Sequence, residues 1–255
     1  MSAIHSLDLT QILLYIFWVA FAALLYYLHR EDKREGYPLQ GTGTKPGTTI
    51  SIQGFPSVPE AKTFLLADGT SIQVPRTSDP QPALAAKPVA PWPGAPLQPT
   101  GNPMLDGVGP AAYALRADVP ERMLDGSLMI VPLRAATDHG ISPHDTDPRG
   151  FAVVACDGKS PGTVGEAWID RSEPQIRYLE VNLQSGGSVL LPAGFIRYDL
   201  RDRKVKVASI TAEQFSTAPR LANVDQVTKR EEDRITAYYA SGHLYATPDR
   251  LGPLL

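Results

Sequence analysis

Residues Ile12 to Leu28 read ILLYIFWVAFAALLYYL, seventeen positions without a charge, a glycine or a proline. With Leu9, Thr10, Gln11 and His29 the run reaches about 20 residues, the length that crosses roughly 30 Å of hydrocarbon as a helix. In lipid every backbone amide must be satisfied within its own segment, so a helix is the structure such a run can take there. A cleaved secretory signal fits the flanks poorly. Residues 1–11 contain no Lys or Arg, and no small-x-small pattern follows the apolar run. Arg30, Lys33 and Arg34 follow it instead, which by the positive-inside rule predicts residues 1–11 in the periplasm and the rest of the chain in the cytoplasm. Tyr26 and Tyr27 fit an aromatic belt at that boundary, whereas Trp18 falls mid-span.

Beyond the anchor the composition divides the chain. From Gly41 to Pro110 there are 13 prolines and 9 glycines in 70 residues, too many breakers for long helices or central strands. Short apolar pieces interrupt that stretch at Thr63–Leu66, Ser71–Val74 and Met104–Val108. With Trp92, they predict an extended strap ordered on a partner's surface rather than a free linker. From about Ile130 short β-like runs alternate with turns. Phe151–Ala155 precedes the Asp157-Gly158 turn pair. Gly165–Ile169, Ile176–Leu183, Ser188–Leu191 and Lys204–Ile210 follow, with Gly186-Gly187 as a further turn. Leu179, Val181 and Leu183 recur at the period of a half-buried strand, and several such strands at close spacing predict a small sheet or barrel. Asp225 to Tyr239 reads as a late helix with Asp225 as its N-cap and Gly242 beyond its end. The expected divisions are residues 1–11, a transmembrane helix over 12–29, a membrane-surface segment over 30–40, the strap over 41–129, and a β domain with its helix over 130–255.

Net charge is −3, and no basic stripe interleaved with aromatics occurs, which argues against nucleic acid as a partner. The single cysteine, Cys156, follows Val153, Val154 and Ala155 and reads as a buried structural thiol. No G-x-S-x-G, H-E-x-x-H or C-x-x-C motif is present, and Asp157–Ser160 lacks the leading glycine of a phosphate loop, Val153 standing in its place. No enzymatic activity is expected. His139 and His144, among Asp138, Asp145 and Asp147, have the residue types of a divalent-metal or proton-relay site, although a solvated Pro- and Gly-containing loop explains them better. Asp170 and Glu173, three apart in the turn DRSEP with Arg171 between and Arg177 beyond, are of the type that holds protons at tunable affinity.

HREDKREGYPL after the anchor, PTGNPMLDGVGPAAYALR in the strap, DPRGFAVVACDG, WIDRSEPQIRYLEV and the terminal REEDRITAYYASGHLYATPDR resemble the H subunit of the purple-bacterial photosynthetic reaction centre. The resemblance runs nearly end to end and in the same order. It implies a single-pass subunit of the bacterial inner (photosynthetic) membrane whose β domain is a PRC barrel and which itself binds no cofactor. Its implied partners are the L and M subunits, which carry bacteriochlorophyll, bacteriopheophytin, quinones, a non-haem iron and carotenoid, with a cytochrome subunit and light-harvesting antenna as further members of the complex. The implied role is to cap the cytoplasmic face of L and M, shield the quinone region and guide protons to the secondary quinone.

By position in the motif, Asp170 and Glu173 correspond to acids of that proton path, with Arg177 and Glu180 lining the same interface. A carboxyl partly removed from water beside other acids has its pKa pushed upward. Where some family members carry a His-x-His pair for proton uptake, this chain has LDGSLMIVP. Asp125, or the His139/His144 loop, is then the expected substitute at the surface. Arg30, Lys33, Arg34 and Tyr37 are expected against anionic lipid headgroups or a partner subunit. A membrane-tethered PRC-barrel module of another complex is the competing reading, and the long motifs in the anchor-proximal and strap segments disfavour it.

Overall fold

The computed structural model describes residues 8–41, 48–67, 69–76, 83–92 and 94–251. It divides into two compact units, residues 1–83 with 88–96, and residues 84–87 with 97–255.

The first unit begins with helix α1 (Leu9–Asp32), 24 residues in which no side chain is buried by the chain itself. At 1.5 Å per residue α1 is about 36 Å long, enough to cross a bilayer. Two short hairpins follow, β1 (Gln40–Gly41) with β2 (Thr48–Thr49) and β3 (Lys62–Leu65) with β4 (Ser71–Val74). The apolar pieces expected to lie separately on a partner thus pair with each other, Phe64 opposite Ile72. Leu65 nevertheless stays 79% exposed. A further two-stranded pair, β5 (Ala86–Pro88) with β6 (Leu97–Pro99), belongs mostly to the second unit.

The second unit carries the hydrophobic core. Its strands are β7 (Ile130–Pro132), β8 (Ala152–Val154), β9 (Gly162–Asp170), β10 (Gln175–Leu183), β11 (Ser188–Pro192), β12 (Ile196–Asp199) and β13 (Lys204–Val207). They form one sheet in the order β11-β10-β9-β8-β13-β12. β9 is its spine. One edge pairs with β10 along the whole strand, while the other is shared by β8 at Gly162 and Thr163 and by β7 at Trp168 to Asp170. The end strands β11 and β12 are linked through a 3-10 turn, Ala193–Phe195, and no ladder between them closes the sheet into a ring among the described residues. Trp168, Leu190 and Leu191 are fully buried with Phe151, Phe215 and Ile210, and so are Leu179 and Val181, at the period-2 spacing of β10.

Helix α2 (Lys229–Tyr245) closes the core with Ile235, Tyr238, Tyr239 and Gly242, a spacing of 3, 4 and 7 that lines one helical face. Its limits differ from the expected ones. Thr228, not Asp225, is the N-cap: its Oγ1 accepts from Glu231 N while Glu231 Oε2 accepts from Thr228 N, a reciprocal capping box. Asp225 instead pairs with Arg134 at 2.9 Å. Gly242 lies inside the helix, at a point where a Cβ would overlap the Ser209 carbonyl and the Ile210 side chain. Met104 and Val108, expected on a partner, are buried in this unit's own structure. Cys156 is only partly buried, its amide donating to Ile210 O at 3.0 Å.

Candidate functional site

The β9–β10 hairpin turns through Arg171–Pro174, and Asp170 closes β9 at the base of that turn. Asp170 is paired on one side with Gln175 of β10 and on the other with Ile130 of β7, which is why a charged side chain there is only 6% exposed. Its Oδ1 accepts from Ser172 N at 2.9 Å, from Glu173 N at 3.3 Å and from the Ser172 hydroxyl. A carboxylate bonding the backbone two residues on is the usual device by which Asp shapes a tight turn. Oδ2 faces Arg177 Nε at 4.0 Å. Glu173 stands exposed at the tip, accepting from Gln175 Nε2 at 3.2 Å. Asp170, Glu173 and Arg177 therefore share one end of the hairpin.

Glu180 does not join them. It lies five residues beyond Gln175 on β10, about 17 Å along a strand. There its Oε2 accepts from Arg134 Nη1 at 3.0 Å and from the indole of Trp168 at 3.1 Å. That arrangement satisfies the Trp168 N–H of the core and binds β10 to the chain around Arg134, which makes Glu180 a structural carboxylate in this unit.

The two expected surface positions, Asp125 and His139, meet in one chain of contacts. Asp125 Oδ1 accepts from Ser127 N at 2.8 Å and from Ser127 Oγ at 2.6 Å. Ser127 Oγ in turn accepts from Arg171 Nη1 at 3.1 Å. Arg171 Nη2 lies 3.5 Å from Asp138 Oδ2, and Asp138 Oδ1 lies 2.9 Å from His139 Nδ1. The Ser127 hydrogen bonds hold Asp125 below the usual carboxylate pKa, and the His139 contact does the same for Asp138. Arg171 is the residue next to Asp170, so this line of polar groups passes beside the hairpin turn at its midpoint. His144 is exposed and takes no part in it. The metal expectation at His139 and His144 is not supported: no three His, Cys, Asp or Glu side chains converge among the described residues, and His139 is engaged by Asp138 instead.

One acid escaped the sequence reading. Glu232, in the first turn of α2, accepts from the Tyr178 hydroxyl at 3.0 Å in a cleft of about 400 Å³ that Arg177 also lines. Burial raises the Glu232 pKa and the negative charge of Glu121 adds to the rise, while the Tyr178 hydrogen bond and the charge of Arg177 oppose it. Arg177 thus acts on two carboxyls, Asp170 on β9 and Glu232 on α2. The sequence signal was faint: an acid one residue past the capping glutamate, on a helix face that reads as solvated.

In the first unit the cations after α1 do not point outward as a set. Lys33 is 4% exposed. Its Nζ donates to Gln53 O at 2.9 Å and to Pro56 O, with the ring of Tyr37 5.0 Å away. An ammonium removed from water needs such acceptors, so Lys33 is an internal clamp and not a headgroup contact. Arg34 is likewise used within the chain, forked onto Glu31 at 2.7 and 2.9 Å and donating to Glu60 O. Arg30 alone of the three remains exposed.

Two known families match this chain. The model of the photosynthetic reaction centre H-chain N-terminal region matches residues 1–135, and that of the PRC-barrel domain matches residues 144–214. The first match alone spans more than half the chain, including α1 and the Lys33 clamp, and the second covers β8 to β13 with the Asp170 hairpin. The chain belongs to the photosynthetic reaction centre H-chain family.

Proposed function

We propose that this chain caps the cytoplasmic face of the L and M subunits, shields the quinone region and carries protons along the β9–β10 turn toward the secondary quinone. In this reading α1 spans the inner membrane with residues 1–11 in the periplasm, and the β domain lies in the cytoplasm. The pigments, quinones and iron belong to the partner subunits, and the chain supplies no redox group of its own.

The observation that carries the proton role is the hairpin end itself. A carboxylate removed from water, Asp170, stands beside an exposed one, Glu173, and the line from Asp125 to His139 lies against the same turn through Arg171. The Arg171 guanidinium keeps its protons, so that transfer from the line to the turn runs over bridging water. A proton taken up at the surface needs a succession of groups that accept and release it, at hydrogen-bond spacing or bridged by water. Glu232, whose pKa burial raises, adds a group suited to retain a proton on the other side of Arg177.

The subunit assignment is tested by solubilising native membranes, capturing this chain and recording the near-infrared absorption of what accompanies it. Bacteriochlorophyll and bacteriopheophytin bands with two further membrane subunits are expected. A colourless product would leave a tethered PRC-barrel module and remove the proton role.

A further inference from the structure

The loop 50–56, ISIQGFP, leaves Ile52 and Phe55 each 81% exposed, although it is held firmly against the C-terminal end of α1. The Phe55 ring lies 6.0 Å from the Tyr26 ring. His29 Nε2 is 3.3 Å from Phe55 O, and Lys33 Nζ bonds the carbonyls of Gln53 and Pro56. Tyr26 and Lys33 are seven residues apart, so the loop runs beside roughly 10 Å of helix axis. A span of about 20 residues starting at Leu9 places Tyr26 in its last turn of hydrocarbon and Lys33 among the headgroups. The exposed pair of apolar side chains is thereby fixed at the depth where a bilayer changes from one to the other.

The polar groups of the loop are arranged accordingly. Besides the three carbonyls met by His29 and Lys33, the Gln53 side chain accepts from Leu39 N at 2.7 Å and donates to Ile50 O and Leu39 O. Ile50 N donates to Leu39 O at 3.0 Å. Irregular backbone is tolerated near lipid where its polar groups are satisfied by protein, and Ile50 N and the carbonyls of Ile50, Gln53, Phe55 and Pro56 are met in this way. Residues 48–59 contain no charged side chain, while Arg30 stays exposed nearby on α1, and an aromatic ring among cations matches the interfacial zone.

We infer that this loop is a second membrane attachment, seated in the bilayer interface with Ile52 and Phe55 in contact with lipid and with Lys33 as its fastener. The inference rests on α1 crossing the membrane. Lys33, expected against headgroups or a partner subunit, serves the membrane by holding the loop that meets lipid.

The test uses nitroxide labels on Ile52→Cys and Phe55→Cys, each in a Cys156→Ser background. The complex is assembled with the full chain and reconstituted into phosphatidylcholine–phosphatidylglycerol vesicles. Collision with oxygen is compared with collision with a water-soluble nickel chelate. Labels at Phe21→Cys and Glu35→Cys give the lipid and water references. The inference expects the oxygen-to-nickel ratio at 52 and 55 to exceed that at 35 several-fold. A ratio equal to that at 35 would overturn it, and so would inaccessibility to both reagents, which would mean that another subunit covers the loop. A Phe21 label open to nickel would instead remove the transmembrane reading of α1, and this inference with it.

Discussion

The Tyr178 hydroxyl donates to Glu232 Oε2 across 3.0 Å, joining β10 to the first turn of α2. Burial raises both groups from their ordinary pKa values, so each favours its protonated form. For Glu232 the folded state then binds its proton more tightly than the unfolded chain, whose value is near 4.5. Stability from this group is complete below 4.5 and declines as pH rises through the folded value. Glu232→Gln keeps an acceptor for Tyr178 and cannot ionise. Denaturant midpoints measured upward from pH 4.5 are expected to fall less steeply in Glu232→Gln than in the native chain. Parallel curves would contradict the raised pKa.

Acid acts on other residues. Arg149 holds Asp147 below its ordinary value of 3.8, their side chains 2.6 Å apart. Stability from that pair is present above 3.8 and lost as pH falls through the folded value. Asp147→Asn is expected to reduce the loss below pH 3.8 without altering the decline above 4.5. The same titrations check it.

Gly242→Ala sets helix propensity against packing. In an exposed helix the change is favourable by about 1 kcal/mol. Here the new methyl meets the Ser209 carbonyl and Ile210, and forcing atoms into a filled core costs about 1–3 kcal/mol or more. Net destabilisation is expected in chemical unfolding, and a stabilised variant would show that α2 can move off the sheet.

Thr228→Ala removes the acceptor of Glu231 N and the donor to Asp118 Oδ1, a bond of 2.7 Å. A loss of about 1–2 kcal/mol is expected, with most of it recovered by Thr228→Ser. Chemical unfolding of the two variants measures both.

Lys33→Ala leaves the Gln53 and Pro56 carbonyls without their donor. The loop 50–56 is expected to be cut by protease at least several-fold faster, since a lost bond of this kind is worth about 1–3 kcal/mol. Unchanged cleavage would show that Gln53 and His29 hold the loop alone.

Much of this was legible in the sequence because it depends on local pattern. The charge-free run of α1, the period-2 apolar positions of β10 and the Asp-x-x-Glu turn are written in consecutive residues. The start of α2 is also legible in retrospect: Thr228 and Glu231 carry the capping-box spacing. What could not be read depends on distant partners. Nothing local says that Gly242 faces Ser209, that Glu232 meets Tyr178 54 positions away, or that Lys33 turns inward to carbonyls 20 and 23 residues on. Glu180 reads like Asp170 in sequence, yet the pairing of β9 with β10 sets Asp170 at the turn end of the ladder and Glu180 in its interior.

The measurement closest to the central claim is flash-induced proton uptake by the complex purified through this chain, comparing the native protein with Asp170→Asn and Glu173→Gln. The account predicts normal pigment content in all three. It predicts proton uptake after the second flash slowed at least several-fold in each variant, and slowed further when Asp125 and His139 are also replaced. Native uptake kinetics in both variants, with the complex intact, would contradict a proton path through the β9–β10 turn.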